Sequence, residues 1–74
     1  MKLVEKRLIR RLDDPFTIAA RLNLLAAEYI RAGYEVKQKG FYVVILKLND
    51  GEIHLYPCKK GIEQAIFKYK EAKV

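Results

Sequence analysis

Gly40–Pro57, "GFYVVILKLNDGEIHLYP", decides how the rest of the chain is read. Asp50-Gly51 is among the strongest short hairpin signals, so the stretch divides into two strands. A half-buried antiparallel strand alternates apolar and polar residues. Here Phe41, Tyr42, Val43, Val44, Ile45 and Leu46 run on without a polar break. The first strand is therefore apolar on both faces, and whatever covers its second face is the main functional lead.

Upstream, "YEVKQ" reads as a further strand, joined to the apolar one at Lys39-Gly40. Before it, "LDDPF" is a helix start: Asp14 can cap, Pro15 fits the first turn, and Asp13 adds favourable charge at the positive end. The helix is expected to run from Pro15 to Ala32 and to stop at Gly33. Thr17, Arg21, Glu28 and Arg31 cluster on one narrow face of it. Phe16, Ile18, Leu22, Leu24, Leu25, Tyr29 and Ile30 spread over most of the rest, which implies burial on more than one side.

Downstream, Pro57 ends the third strand, and Gly61–Ala72 reads as a last helix with Ile62, Ala65, Ile66 and Tyr69 on one side. Lys68, Lys70 and Lys73 fall outside that stripe. In residues 1–12, Val4, Leu8 and Leu12 share a stripe in either conformation, but helix formers dominate, so the segment is read as helical. The expectation is a single α+β domain over residues 1–74. Its core, residues 13–74, is a three-stranded antiparallel sheet with two helices on one face, in the order helix-strand-strand-strand-helix. Residues 1–12 are an N-terminal extension.

Two-residue loops at both glycine dipeptides would set Val36 opposite Val43, Ile45 opposite Tyr56 and Lys47 opposite His54. One face then collects Val44, Leu46, Leu48, Ile53 and Leu55 and should carry the helices. The other collects Tyr34, Val36, Phe41, Val43, Ile45, Tyr56, His54 and Lys47, too apolar a set to leave in water. The N-terminal segment, a second copy or stacked nucleobases could cover it; its aliphatic residues favour the first two. A homodimer is expected, with Val36, Phe41, Val43, Ile45 and Tyr56 at the contact, since so short a chain is marginal alone.

The chain has 74 residues with 15 Lys and Arg against 9 Asp and Glu, a net charge of +6. That balance suits nucleic acid or an acidic protein as partner, although a lysine-rich surface can also serve solubility alone. The longest apolar run is far short of the roughly 20 residues of a membrane span. Charges throughout "MKLVEKRLIRRL" argue against a signal peptide. One cysteine, Cys58, rules out an internal disulfide and fits a reducing, cytoplasmic setting.

Helix, three strands, helix with a basic start to the last helix is the order of the double-stranded-RNA-binding fold. Within that group, residues 22–70 resemble the HicA-type toxins, small mRNA-cleaving proteins of toxin–antitoxin pairs. The resemblance rests on Gly33-Tyr34, Gln38-Lys39-Gly40, Asn49-Asp50-Gly51 and Pro57. That family places its catalytic histidine two residues after the first-hairpin glycine, where this chain has Phe41 and Tyr42. Tyrosine titrates near pH 10 and cannot replace histidine as a base at neutral pH. The resemblance therefore implies the fold without the nuclease.

Single residues give little chemistry. His54 is the only histidine and shows no partner acid or second metal ligand at useful spacing. Cys58 precedes Lys59-Lys60 but lacks a base to activate it. Asp13 and Asp14 read as a helix cap rather than a metal pair, and neither metal nor cofactor is expected. The chain is read as a non-enzymatic nucleic-acid-binding protein, with Arg10, Arg11, Lys37, Lys39, Lys59 and Lys60 contacting phosphate. The alternative is a protein-interaction module that modulates a partner through the apolar sheet face.

Overall fold

The computed structural model describes residues 1–40 and 43–69. Six elements follow in order: β1 (Lys2–Arg11), α1 (Pro15–Arg31), β2 (Glu35–Lys39), β3 (Val43–Lys47), β4 (Gly51–Cys58) and β5 (Gly61–Lys68). The strands form one five-stranded sheet in the order β1-β5-β4-β3-β2, and every neighbouring pair is antiparallel. α1 crosses one face, carrying the chain from one edge of the sheet to the other.

This overturns the expected three-stranded sheet with two helices. The segment read as a last helix is β5 up to Lys68; residues 70–72 of that reading lie outside the described residues. The N-terminal extension read as helical is β1. Both segments carry helix-forming residues, but each finds a strand partner in the other, and tertiary pairing overrides local propensity. Ile62 and Ile66 of β5 lie on the α1 side, while Glu63, Ala65 and Phe67 lie on the open side.

The helix start and stop are those expected. The Asp14 carboxylate accepts from the Phe16 and Thr17 amides at 3.4 and 3.3 Å, and Pro15 occupies the first turn. At the other end, the Gly33 and Tyr34 amides donate back to the carbonyls of Ile30 and Tyr29, both at 3.0 Å. This double closure needs a residue with positive φ, and Gly33 sits at 95°. The Tyr29 and Tyr34 rings meet edge to face across it, 5.7 Å apart.

Ile18, Leu22 and Ala26 form the buried stripe of α1 and pack on Val44, Leu55 and Ile62, with Leu25, Tyr29, Val36 and Ile53 around them. Leu22, Val44, Leu55 and Ile62 are fully sealed from solvent. Burial on more than one side of α1 is not found. Phe16 is 85% exposed, Ile30 58% and Leu24 45%.

Strand register departs from expectation in one consequential place. Lys39 pairs with Val43, so residues 40–42 connect β2 to β3 rather than two residues alone. The odd count reverses the face of β2: Val36 lies opposite Leu46, on the α1 side, instead of opposite Val43. In the next hairpin the Leu48 amide donates to the Gly51 carbonyl at 2.9 Å, which centres the turn on Asn49-Asp50. Ile45 consequently pairs with His54, and Lys47 with Glu52. A slip of two keeps each β3 and β4 residue on its expected face.

Candidate nucleic-acid interface

β1 reaches its place through two single-residue bulges against β5. Pairing is interrupted between Leu3 and Glu5, leaving Val4 extra, and between Leu8 and Arg10, leaving Ile9 extra. Beyond the second bulge, Arg10 pairs with Ile62 and Arg11 with Gly61. The Leu12 amide then donates to the Lys60 carbonyl at 3.1 Å, tying the end of β1 to the β4–β5 turn. Gly61 allows this approach, because it has φ 142° and a side chain there would strike the Arg10 carbonyl.

The turn between Cys58 and Gly61 consists of Lys59 and Lys60. The fold therefore brings Arg10, Arg11, Lys59 and Lys60 to one end of the sheet, although the two pairs lie far apart in sequence; Arg10 lies on the α1 side with Ile62 and Arg11 on the open side. All four are exposed. Lys39, at the end of β2, marks the same end of the sheet at the opposite edge, about 15–20 Å across by strand spacing. Lys37 pairs with Ile45, away from that end and outside the cluster. Among the described residues, none of these six cations is in an ion pair.

Two neighbouring features shape this end. Asp14 lies beside it, but its carboxylate is committed to the helix cap and also accepts from the Thr17 hydroxyl at 2.8 Å. That hydrogen bond, with the backbone donors, holds the Asp14 carboxyl below its usual range despite desolvation. Pro15, Ile18, Pro57 and Cys58 line an open apolar hollow of about 330 Å³ next to the lysine turn.

The open face of the sheet, away from α1, is less greasy than its aliphatic residues suggested. Tyr56 donates to Glu63 at 2.6 Å, and Lys6 pairs with the same carboxylate oxygen at 3.2 Å. These two partners, Tyr56 first, hold the Glu63 carboxyl low. Burial, then the Glu63 carboxylate, pushes the Tyr56 phenol up. The Lys6 ammonium also lies 5.9 Å from the centre of the Tyr56 ring.

A second cluster contains His54, which does have a nearby acid. Its Nε2–H donates to Glu52 Oε1 at 2.9 Å, and the Tyr69 hydroxyl donates to Glu52 Oε2 at 3.1 Å. The His54 contact is the main reason the Glu52 carboxyl is held low. The His54 ring rests against Phe67, centroids 4.6 Å apart. Positions 52 and 54 share a strand face, so their spacing of two already carried this pairing. Apart from the Tyr69 hydroxyl, no thiol or hydroxyl joins the pair among the described residues.

The expected interface residues are divided by the fold. Val43, Ile45 and Tyr56 are half-buried on the open face, Val36 packs beneath α1, and Phe41 lies outside the described residues. Residues 1–12 do not fold over that face as a lid; β1 extends the sheet at its edge. Among the described residues, no helix is long and apolar enough to cross a membrane. No known protein family, curated protein or solved structure matches the chain.

Proposed function

We propose that the protein binds nucleic acid through its phosphates, using the end of the sheet that carries Arg10, Arg11, Lys59 and Lys60, with Lys39 as an outlying contact. The observation that carries this reading is that group of cations, none of which is in an ion pair among the described residues. The β1–β5 pairing and the Leu12–Lys60 hydrogen bond gather four exposed cations from two distant segments. Like charges repel when brought to one end of a sheet, and among the described residues these four have no ion-pair partner, which favours an anion there. A row of phosphates supplies that anion at repeated spacing and releases counterions on binding.

In this reading affinity comes from charge and base identity contributes little. The open face plays a structural part, since its acids and phenols are already paired with one another. Binding requires no chemistry on the nucleic acid.

The test is a titration with duplex and single-stranded RNA and DNA at several salt concentrations. Four phosphate contacts predict that log K falls with log[salt] with a slope of about −3. Lys59→Glu with Lys60→Glu should abolish binding, whereas Lys2→Glu, at the far end of β1, should leave most of it. Absence of binding at low salt, or affinity indifferent to salt, would overturn the proposal.

A further inference from the structure

The outer face of α1 is the largest feature the fold leaves unexplained. At 100° per residue, Phe16, Ala20, Leu24, Ala27 and Ile30 fall within about 120° of one another. They lie well round the helix from the buried stripe of Ile18, Leu22 and Ala26; Asn23 falls in the same arc and accepts from Gln38 Nε2 of β2 at 2.9 Å, and Ala27 is half-buried. Phe16, Leu24 and Ile30 are accordingly the exposed large residues of the helix. A surface helix usually turns charge to water there. Here only Arg31 brings a charge into the arc, at its C-terminal end.

We infer that this stripe is the contact surface of a homodimer in which α1 packs antiparallel against α1 of a second copy. The order of apolar side chains fits its own reverse: large, small, large, small, large, from Phe16 to Ile30, with Asn23 near the midpoint. Antiparallel packing about the helix midpoint sets Ala20 of one copy opposite Ala27 of the other, letting the backbones approach. It also brings Phe16 of each copy to the Ile30 end of the other.

Charge selects this arrangement over a parallel one. Arg21 and Glu28 flank the stripe on the same side, one in each half of the helix, and neither is in an ion pair among the described residues. In an antiparallel pair, like flanks face each other, so Arg21 of each copy meets Glu28 of the other twice over. In a parallel pair that flank would face Ala19, which offers no charge. The β1 edge is a poorer place for a second copy, because its bulges and its run of Lys, Arg and Glu resist strand addition.

Sedimentation equilibrium on the full chain tests the proposal. The protein should be dimeric at tens of micromolar, and Leu24→Lys should give a folded monomer because Leu24 supports no intrachain core. Arg21→Glu alone should weaken the dimer about tenfold, from two attractive pairs made repulsive. Arg21→Glu combined with Glu28→Arg should restore it. A monomeric wild type, a dimer that survives Leu24→Lys, or a double variant no tighter than Arg21→Glu would each overturn the antiparallel helix contact.

Discussion

Under α1 the sheet is sealed: Val44, Leu46 and Leu55 of β3 and β4 are buried, and the helix spans from β2 to β5. At the other edge the helix does not reach β1, and every residue of that strand except Leu8 is exposed. The first region is held by a hydrophobic core drawn from α1, β3, β4 and β5. The second is held by backbone pairing between the two ends of the chain, aided by the Lys6–Glu63 contact. A strand without a core beneath it depends on each ladder bond and on the glycine that lets the ladder close. The proposed phosphate site lies on this second, less protected region.

Core truncation in the first region should have the largest effect. Leu22→Ala removes the most deeply packed residue of α1 and should cost about 4 kcal/mol, unfolding the whole domain early in a thermal melt. Gly61→Ala should come next, at about 3 kcal/mol, because it adds strain at φ 142° and a collision with the Arg10 carbonyl. The two should differ in where the loss falls. Amide exchange in Gly61→Ala should rise first in β1 and β5 while α1 stays protected. A uniform rise across all elements would erase the distinction between the regions.

The region under α1 was the legible one. Asp14, Pro15 and Gly33 bound the helix through rules that need only a few adjacent residues, and the alternation of Ile53, Leu55 and Val44 showed which way β3 and β4 face. Val36 was misplaced because the parity of one loop, residues 40–42, sets the face of all of β2. β1 and β5 were misread for a different reason. Val4, Leu8 and Leu12 fit a helical stripe as well as a strand, and Ile62, Ala65 and Ile66 favoured a helix. Only their mutual pairing decides the matter, and no local period encodes a partner some sixty residues away. Arg10, Arg11, Lys59 and Lys60 stood out in the sequence alongside Lys37 and Lys39, but what brings Arg10 to Lys60 is the same hidden pairing.

Smaller effects refine the comparison. Gly33→Ala should cost about 1 kcal/mol, a purely conformational penalty since nothing lies near its Cβ, and it should loosen the end of α1 without touching β1. Acid should act on the open face and at the Asp14 cap of α1. Glu52 and Glu63 have carboxyls held below their usual 4.5, so their stabilisation is present above that pH and is lost as pH falls through their folded values. Melting temperature should therefore drop below about pH 4.5, and Glu52→Gln should lose less over that range than the wild type. An equal acid response in both proteins would show that the His54–Glu52 contact contributes nothing.

The pairing of β1 with β5 underlies both the sheet and the cation cluster, and nuclear Overhauser contacts between them test it directly. The ladder predicts cross-strand contacts between Lys6 and Ala65 and between Arg10 and Ile62, together with strand-type sequential contacts through residues 2–11 and 61–68. Consecutive amide–amide contacts of helical type in residues 61–68, with no contact to residues 2–11, would contradict it. That result would separate Arg10 and Arg11 from Lys59 and Lys60 and remove the proposed site with them.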